Sequence, residues 1–257
     1  MHPIERLRYV ARARGAPPSE LGWEAARALM SVTIDDPVAL VTGCRRLVDR
    51  HPSVGAIWWL AARVLVAADP LAEAHAAAEE LDADDTARHL AVALPDDATV
   101  TVVGWAEQCA AALRRRGDLD VLLVEGGYSG WDEEVTYVPA SGLGAAVASS
   151  SLVLVEASAL GPDGFVAPAG SRAAAAVARH AGLDVWVVAG AGRVLPSRLW
   201  EALQARLEAS GDPWGANEEI VPLELATHVA GPAGVGPAAE APKRADCPIA
   251  PELLRRA

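Results

Sequence analysis

Between Leu152 and Gly192 the chain spells out a strand, a crossover helix and a second strand, and no other stretch limits its possible folds so tightly. Leu152-Val153-Leu154-Val155 is short, continuously apolar and rich in β-branched residues, the pattern of a strand covered on both faces. Glu156-Ala157-Ser158 ends it, and Gly161-Pro162-Asp163-Gly164 makes a turn. Gly170-Ser171 then opens an alanine-rich helix that closes on Arg179-His180 with Gly182 as its stop. Asp184-Val185-Trp186-Val187-Val188 gives the second buried strand, which breaks into Ala189-Gly190-Ala191-Gly192. Such a βαβ unit is the repeating piece of an open, mainly parallel α/β sheet, whose ligands bind beyond the carboxyl ends of the strands.

The residues before this unit divide at Pro95. Residues 3 to 94 read as successive helices. They are broken by Pro17-Pro18 and by Arg50-His51-Pro52-Ser53, and restarted at Asp35-Asp36-Pro37, Asp69-Pro70 and Asp84-Asp85, where acidic residues face the helix dipole and proline fits the first turn. Cys44 lies on an apolar stripe with Leu40, Leu47 and Val48 and reads as a core cysteine. From Pro95 the period changes. Thr99 to Val103 and Val121 to Val124 are strands around a helix carrying Cys109, and Val135 to Val138 is a further strand only about ten residues later. A parallel crossover normally needs a dozen or more residues, so a tight loop at Tyr128-Ser129-Gly130-Trp131 is expected. Gly142 to Ser149 and Pro196 to Leu207 read as helices, Glu219 to Leu225 and Thr227 to Ala230 as short strands, and the Pro/Gly/Ala-rich Gly231 to Lys243 as a mobile loop. The expected fold is α/β: a helical N-terminal domain, 1–95, on a Rossmann-like domain, 96–257.

Charge and composition exclude several function classes. A formal charge of −12 over 257 residues argues against a nucleic-acid backbone or an anionic membrane as main partner. Cys44, Cys109 and Cys247 are too far apart for a zinc or disulfide framework, so no metal is expected. Met1 to Arg6 carries no apolar leader core and no run approaches the length of a membrane span, which gives a cytoplasmic expectation. No G-x-G-x-x-G follows the first strand and no G-K-[ST] occurs, so no dinucleotide or nucleoside-triphosphate cofactor is expected.

The segment "LVLVEASALGPDGFVAPAGSRAAAAVARHAGLDVWVVA" resembles the signature region of the initiation factor 2B superfamily. That superfamily holds the alpha, beta and delta subunits of eukaryotic initiation factor 2B, methylthioribose-1-phosphate isomerase and ribose-1,5-bisphosphate isomerase. The frame is kept and the chemical residues are not. Where the family has Gly-Ala-Asp this chain has Glu156-Ala157-Ser158, and where it has Asn-Lys-x-Gly-Thr the chain has Ala167-Pro168-Ala169-Gly170-Ser171. The resemblance places the isomerases' catalytic cysteine near Gly104, with no cysteine between 99 and 108, and their aspartate at Ser158.

Serine without a base cannot serve as a general acid, so the resemblance implies a protein that has lost proton shuttling. Glu156 and Glu125 are the remaining strand-end carboxylates; Glu156 is the candidate substitute base, against the plainer reading of a carboxylate in a solvated cleft. The anion-binding features are better kept. Arg14-Gly15-Ala16-Pro17 matches the family's phosphate loop "R-G-A-P", and an arginine there suits a bidentate phosphate contact. His51-Pro52-Ser53 aligns with the family's "R-P-T", with histidine in place of arginine and serine in place of threonine. Gly170 and Ser171 stand at a helix N-terminus, where free N–H groups favour an anion. The first reading is a non-catalytic binder of a phosphorylated sugar or nucleotide with a regulatory or assembly role. The alternatives are an aldose–ketose sugar-phosphate isomerase using unfamiliar residues and a structural subunit of a translation-linked assembly. The resemblance further implies a homodimer, with Trp131, Trp186, Trp200 and Trp214 as possible interface anchors.

Overall fold

The computed structural model describes residues 22, 24–27, 29, 37–104, 106–124, 135–209 and 214–255. Its first described half is helical: α1 (Pro37–Arg50), α2 (Gly55–Val66), α3 (Pro70–Asp82) and α4 (Thr86–Ala93). Asp69 caps α3 by accepting from the N–H groups of Leu71 and Ala72, with Pro70 in the first turn as its missing N–H allows. α2 is apolar nearly all round, which is stable only in an interior. Ile57, Trp58, Trp59, Leu60, Ala61 and Ala62 are fully buried against Cys44 and Leu47 of α1 and Ala74 and Ala77 of α3. Burial pushes the Cys44 thiol up to about 12, as a core cysteine requires.

The second half holds a seven-stranded sheet in the order β10-β9-β7-β4-β1-β2-β3, with strands β1 (Thr99–Val103), β2 (Asp120–Val124), β3 (Val135–Val138), β4 (Leu152–Glu156), β7 (Asp184–Val188), β9 (His228–Gly231) and β10 (Gly234–Pro237). All neighbours are parallel except β9 and β10. β4 and β7, the two strands of the βαβ unit, pair from Leu152↔Asp184 to Glu156↔Val188. The helix between them is α7 (Ser171–His180); α5 (Glu107–Leu113) follows β1, α6 (Leu143–Ala148) precedes β4 and α8 (Ser197–Glu208) follows β7. β2 and β3 are parallel despite the short connection; its residues, 125–134, lie outside those described, and with them the expected tight loop at 128–131 and Trp131. Chain order runs outward from β1 through β2 to β3 and then returns to β4 on the other side of β1, so the strand order reverses between β1 and β4.

Three expectations need correction. Residues 231–243 are no mobile loop: β10 pairs with β9 from Gly234↔Gly231 to Pro237↔His228, and a 3-10 segment, Ala238–Arg244, buries Ala238 and Ala241. Composition hid this strand, because its order comes from the ladder to β9 and not from side-chain pattern. The turn at 161–164 joins two strands, β5 (Ala159–Leu160) and β6 (Gly164–Pro168), which with β8 (Glu218–Pro222) form a separate three-stranded antiparallel sheet. The strand expected at 219–225 accordingly stops at Pro222 and continues as a 3-10 turn, Leu223–Leu225. Trp186 and Trp200 are buried, so neither is available as an interface anchor, whereas Trp214 is 93% exposed.

The helical and sheet halves share one core. The cluster around α2 continues into Ala159, Val166, Leu199, Trp200, Leu203 and Leu253. Arg206 of α8 ties the junction: its guanidinium lies over the Trp58 ring at 4.7 Å, bonds Asp49 at 2.8 Å, and donates to the carbonyls of Leu253 and Arg255. Residues 252–255 are thus held between α1 and α8, with Arg45 Nε also donating to the Glu252 carbonyl.

Candidate functional site

An open α/β sheet presents its ligand crevice where the strand order reverses, here between the carboxyl ends of β1 and β4. Glu156 is the last residue of β4, and its carboxylate enters that crevice. Oε2 accepts from the N–H groups of Gln108 at 2.7 Å and Cys109 at 3.1 Å, in the first turn of α5, and Oε1 accepts from Arg193 Nη1 at 2.9 Å. The Glu156 and Arg193 side chains are 4% and 2% exposed. Burial raises the Glu156 carboxyl above its ordinary range, and the Arg193 charge opposes that shift. The Cys109 thiol is pushed well above its usual value by burial first and by Glu156 second, which makes it inert as a nucleophile.

The pair belongs to a wider polar network. Arg193 Nη1 also donates to the Ala157 carbonyl at 2.8 Å. Asp84, just before α4, accepts on Oδ2 from Ala191 N at 2.9 Å and Gln108 Nε2 at 3.3 Å, and on Oδ1 from the backbone and hydroxyl of Thr86. A Cβ at Gly190 would lie 2.4 Å from Asp84 Oδ2, so a larger residue there would push this carboxylate off its hydrogen bonds to Ala191 and Gln108. Carboxylates, a guanidinium and backbone N–H groups satisfy one another across the strand ends. The sequence reading that put Glu156 in a solvated cleft is therefore replaced by a buried, paired carboxylate.

The residues expected from the sequence sit around this network. Ser158 is buried; its N–H donates to the Val166 carbonyl at 2.9 Å, and its hydroxyl faces the same carbonyl at 3.5 Å. Its own carbonyl accepts from Gly55 N at 2.8 Å, which docks the start of α2, and so the His51–Ser53 loop, beside it. His51 is buried and Ser53 partly so. Gly104 closes β1 at φ +67, donates to the Val124 carbonyl at 2.8 Å, and approaches so closely that a Cβ would lie 2.4 Å from the Pro168 side chain. Gly170, at φ +95, is the N-cap of α7. Here Glu219 of β8 takes the position of an anion, its Oε1 accepting from Gly170 N at 2.8 Å and Arg172 N at 3.0 Å. Ser171 opens the same turn, fully buried, and its hydroxyl has no hydrogen-bond partner among the described residues.

The structure thus gathers Ser158, Gly104, Gly170 and the start of α2 around β6, while Arg14, Gly15 and Ala16 lie outside the described residues. Sequence reasoning missed Arg193, Asp84, Gln108 and Glu219. Arg193 had a signal, since it follows the glycines that end β7; Glu219 had none, because its partner lies 49 residues away. Among the described residues no group of His, Cys, Asp and Glu is placed to hold a metal ion, and no helix is long and apolar enough to cross a membrane.

No protein-family model matches the chain, and no curated protein matches it. Solved structures do. The translation initiation factor eIF-2B of Pyrococcus horikoshii OT3 superposes with a TM-score of 0.74 at 16% identity, covering 91% of this chain and 96% of that one. The tetrameric eIF2B-beta2-delta2 complex of C. thermophilum gives 0.73 at 14% identity, covering 94% and 92%. The 5-methylthioribose 1-phosphate isomerase of Pyrococcus horikoshii OT3 gives 0.63 at 14% identity, covering 94% and 85%. At such identities the likeness is one of fold: the chain has the architecture shared by these initiation factor 2B proteins and that isomerase, with helices first and a mainly parallel seven-stranded sheet after them.

Proposed function

We propose that this protein is a non-catalytic binder of a phosphorylated sugar or nucleotide, acting through regulation or assembly. The observation that carries the reading is the state of Glu156. A base for aldose–ketose isomerisation must be free to take and return a proton near neutral pH. Glu156 is buried, accepts three hydrogen bonds and is paired with Arg193. Among the described residues the Ser158 hydroxyl meets a backbone carbonyl and no base that would make it a nucleophile. Binding without turnover remains compatible with the loops that converge on Ser158 and with the N-terminus of α7. The fold likeness to a subunit complex supports an assembly role, with a homodimer as the simplest form.

The test is incubation of the purified protein with ribose-1,5-bisphosphate and with methylthioribose-1-phosphate, followed by phosphorus NMR, alongside thermal-shift measurements with the same compounds. The expected result is no conversion with a ligand-dependent rise in melting temperature for at least one phosphorylated compound. Conversion by the wild type that disappears in Glu156→Gln would establish an isomerase instead.

A further inference from the structure

We infer that Arg206 couples residues 252–255 to the His51–Ser53 loop, so that the fit of this loop at the carboxyl end of β4 depends on a distant segment being docked. The inference rests on the phosphoryl-binding reading above, which puts the loop against the ligand, and adds to it two positioning residues, Arg206 and Trp58. Three hydrogen bonds fix the loop from behind. The Trp58 indole N–H donates to the Pro52 carbonyl at 2.9 Å, Val54 N donates to the His51 carbonyl at 3.2 Å, and Gly55 N donates to the Ser158 carbonyl at 2.8 Å. The loop therefore moves with Trp58, which is fully buried, and with the end of α1, where Asp49 lies two residues before His51.

Arg206 acts on both. Its guanidinium lies over the Trp58 ring at 4.7 Å, and its Nε bonds Asp49 at 2.8 Å. Its other donors go to backbone carbonyls, to Ala202 at 3.0 Å within α8 and to Leu253 and Arg255 at 3.0 and 3.1 Å. A guanidinium carries its N–H donors in one rigid plane, so the groups that it holds are fixed relative to one another. The Arg206 side chain is 5% exposed, and a charge so buried must keep its acceptors. When the carbonyls of Leu253 and Arg255 leave, the guanidinium turns toward replacements and its plane shifts off Trp58 and Asp49. The segment itself is a short 3-10 turn, Pro251–Leu254, held by side chains of other elements, Arg45 Nε on the Glu252 carbonyl among them. Such a piece opens locally at less cost than the core strands. That gives the coupling its two states, docked with the loop set and undocked with the loop loose. By reciprocity a ligand on the loop also holds the segment down.

The test is hydrogen–deuterium exchange by mass spectrometry on the full chain, as wild type, Trp58→Phe, Arg45→Ala and Arg206→Lys, with circular dichroism to confirm the fold. Trp58→Phe keeps a ring beneath Arg206 and removes the donor to Pro52. Arg45→Ala loosens the segment at Glu252, away from the loop. Arg206→Lys keeps the charge and loses the planar fork. Amides 50–55 should exchange roughly twofold to tenfold faster in each variant, the worth of one neutral hydrogen bond, with β1 and β4 unchanged. The result for Arg45→Ala decides, since a purely local role of Trp58 does not predict it, and unchanged exchange at 50–55 in that variant overturns the inference. Should Arg206→Lys fail to fold, Trp58→Phe and Arg45→Ala must still show the loosening. Ribose-1,5-bisphosphate or methylthioribose-1-phosphate, whichever binds wild type, should bind both of these variants more weakly by a similar factor and should slow exchange at 251–255. A compound that binds wild type and both variants equally would overturn the inference and leave the binding reading standing. Loosening of 50–55 by Arg45→Ala, with neither compound bound by any of the proteins, would do the reverse.

Discussion

Replacing Arg193 by methionine should be among the most destabilising changes in the sheet half, with a pH signature that identifies the cause. The substitution roughly keeps volume but strands Glu156, whose side chain is 4% exposed, without its counter-charge. Removing one partner of a buried ion pair costs roughly 3–5 kcal/mol. The N–H groups of Gln108 and Cys109 still bond the carboxylate and hold the expected loss toward the lower end of that range. Burial already raises the Glu156 carboxyl, and Arg193 restrains it; without the arginine the folded protein keeps the Glu156 proton to higher pH than the unfolded chain does. Below the unfolded carboxyl pKa, roughly 4.3, the residue is neutral in both states and the penalty is small. As pH climbs from there through the raised folded pKa, the unfolded chain releases the proton first and stability falls. Urea denaturation followed by circular dichroism should therefore show a larger deficit for Arg193→Met at pH 8 than at pH 5. The Glu156→Gln/Arg193→Met double variant should lose less than the sum of the two single changes. A deficit under about 1 kcal/mol, or one that is the same at both pH values, would refute the view that Glu156 is ionised and dependent on Arg193.

Cys44 and Cys247 are pushed up to about 12 by burial and Cys109 well above its usual value, so at pH 8 roughly one Cys44 or Cys247 thiol in ten thousand is ionised. Mass spectrometry after brief iodoacetamide treatment should find all three unlabelled in the native protein and labelled in denaturant; rapid native labelling of Cys247 would show that the closing segment opens readily. Gly104→Ala should destabilise by about 2–5 kcal/mol, because it adds left-handed strain at φ +67 to a clash with Pro168. A thermal melt within 2 °C of wild type, on the order of 1 kcal/mol or less, would show that the β1 end and the 167–171 turn part at far less cost than expected.

Much of the scaffold is local in origin and could be read from the chain. The strands at 99–103, 121–124, 152–156 and 184–188 are apolar runs bounded by turn residues, and a strand buried on both faces needs no more than that. Helix starts at Asp69-Pro70 and Asp84-Asp85 follow from capping chemistry that acts within three residues. The same locality made the core cysteine Cys44 legible, since its neighbours on the stripe, Leu40, Leu47 and Val48, are each one turn away.

An α/β chain with helices first, a parallel βαβ unit at 152–188, and the absence of cysteine and aspartate at the positions where its resemblance puts proton transfer could all be read from the residues. Which charges meet follows from long-range packing alone. Glu156 reads as a strand-end acid in either setting. It becomes a locked carboxylate because the chain returns across β1 and brings it to the first turn of α5, 48 residues back, while Arg193 arrives from 37 residues ahead. Glu219 and α7 are brought together by the three-stranded sheet, and β10 exists as a strand because β9 offers it a ladder. Hydrogen bonds and ion pairs between residues far apart in sequence act over about 3 Å in space and carry no period along the chain, so they leave no trace in a pattern of residues. Burial, which repeats with every turn of helix or step of strand, does leave one.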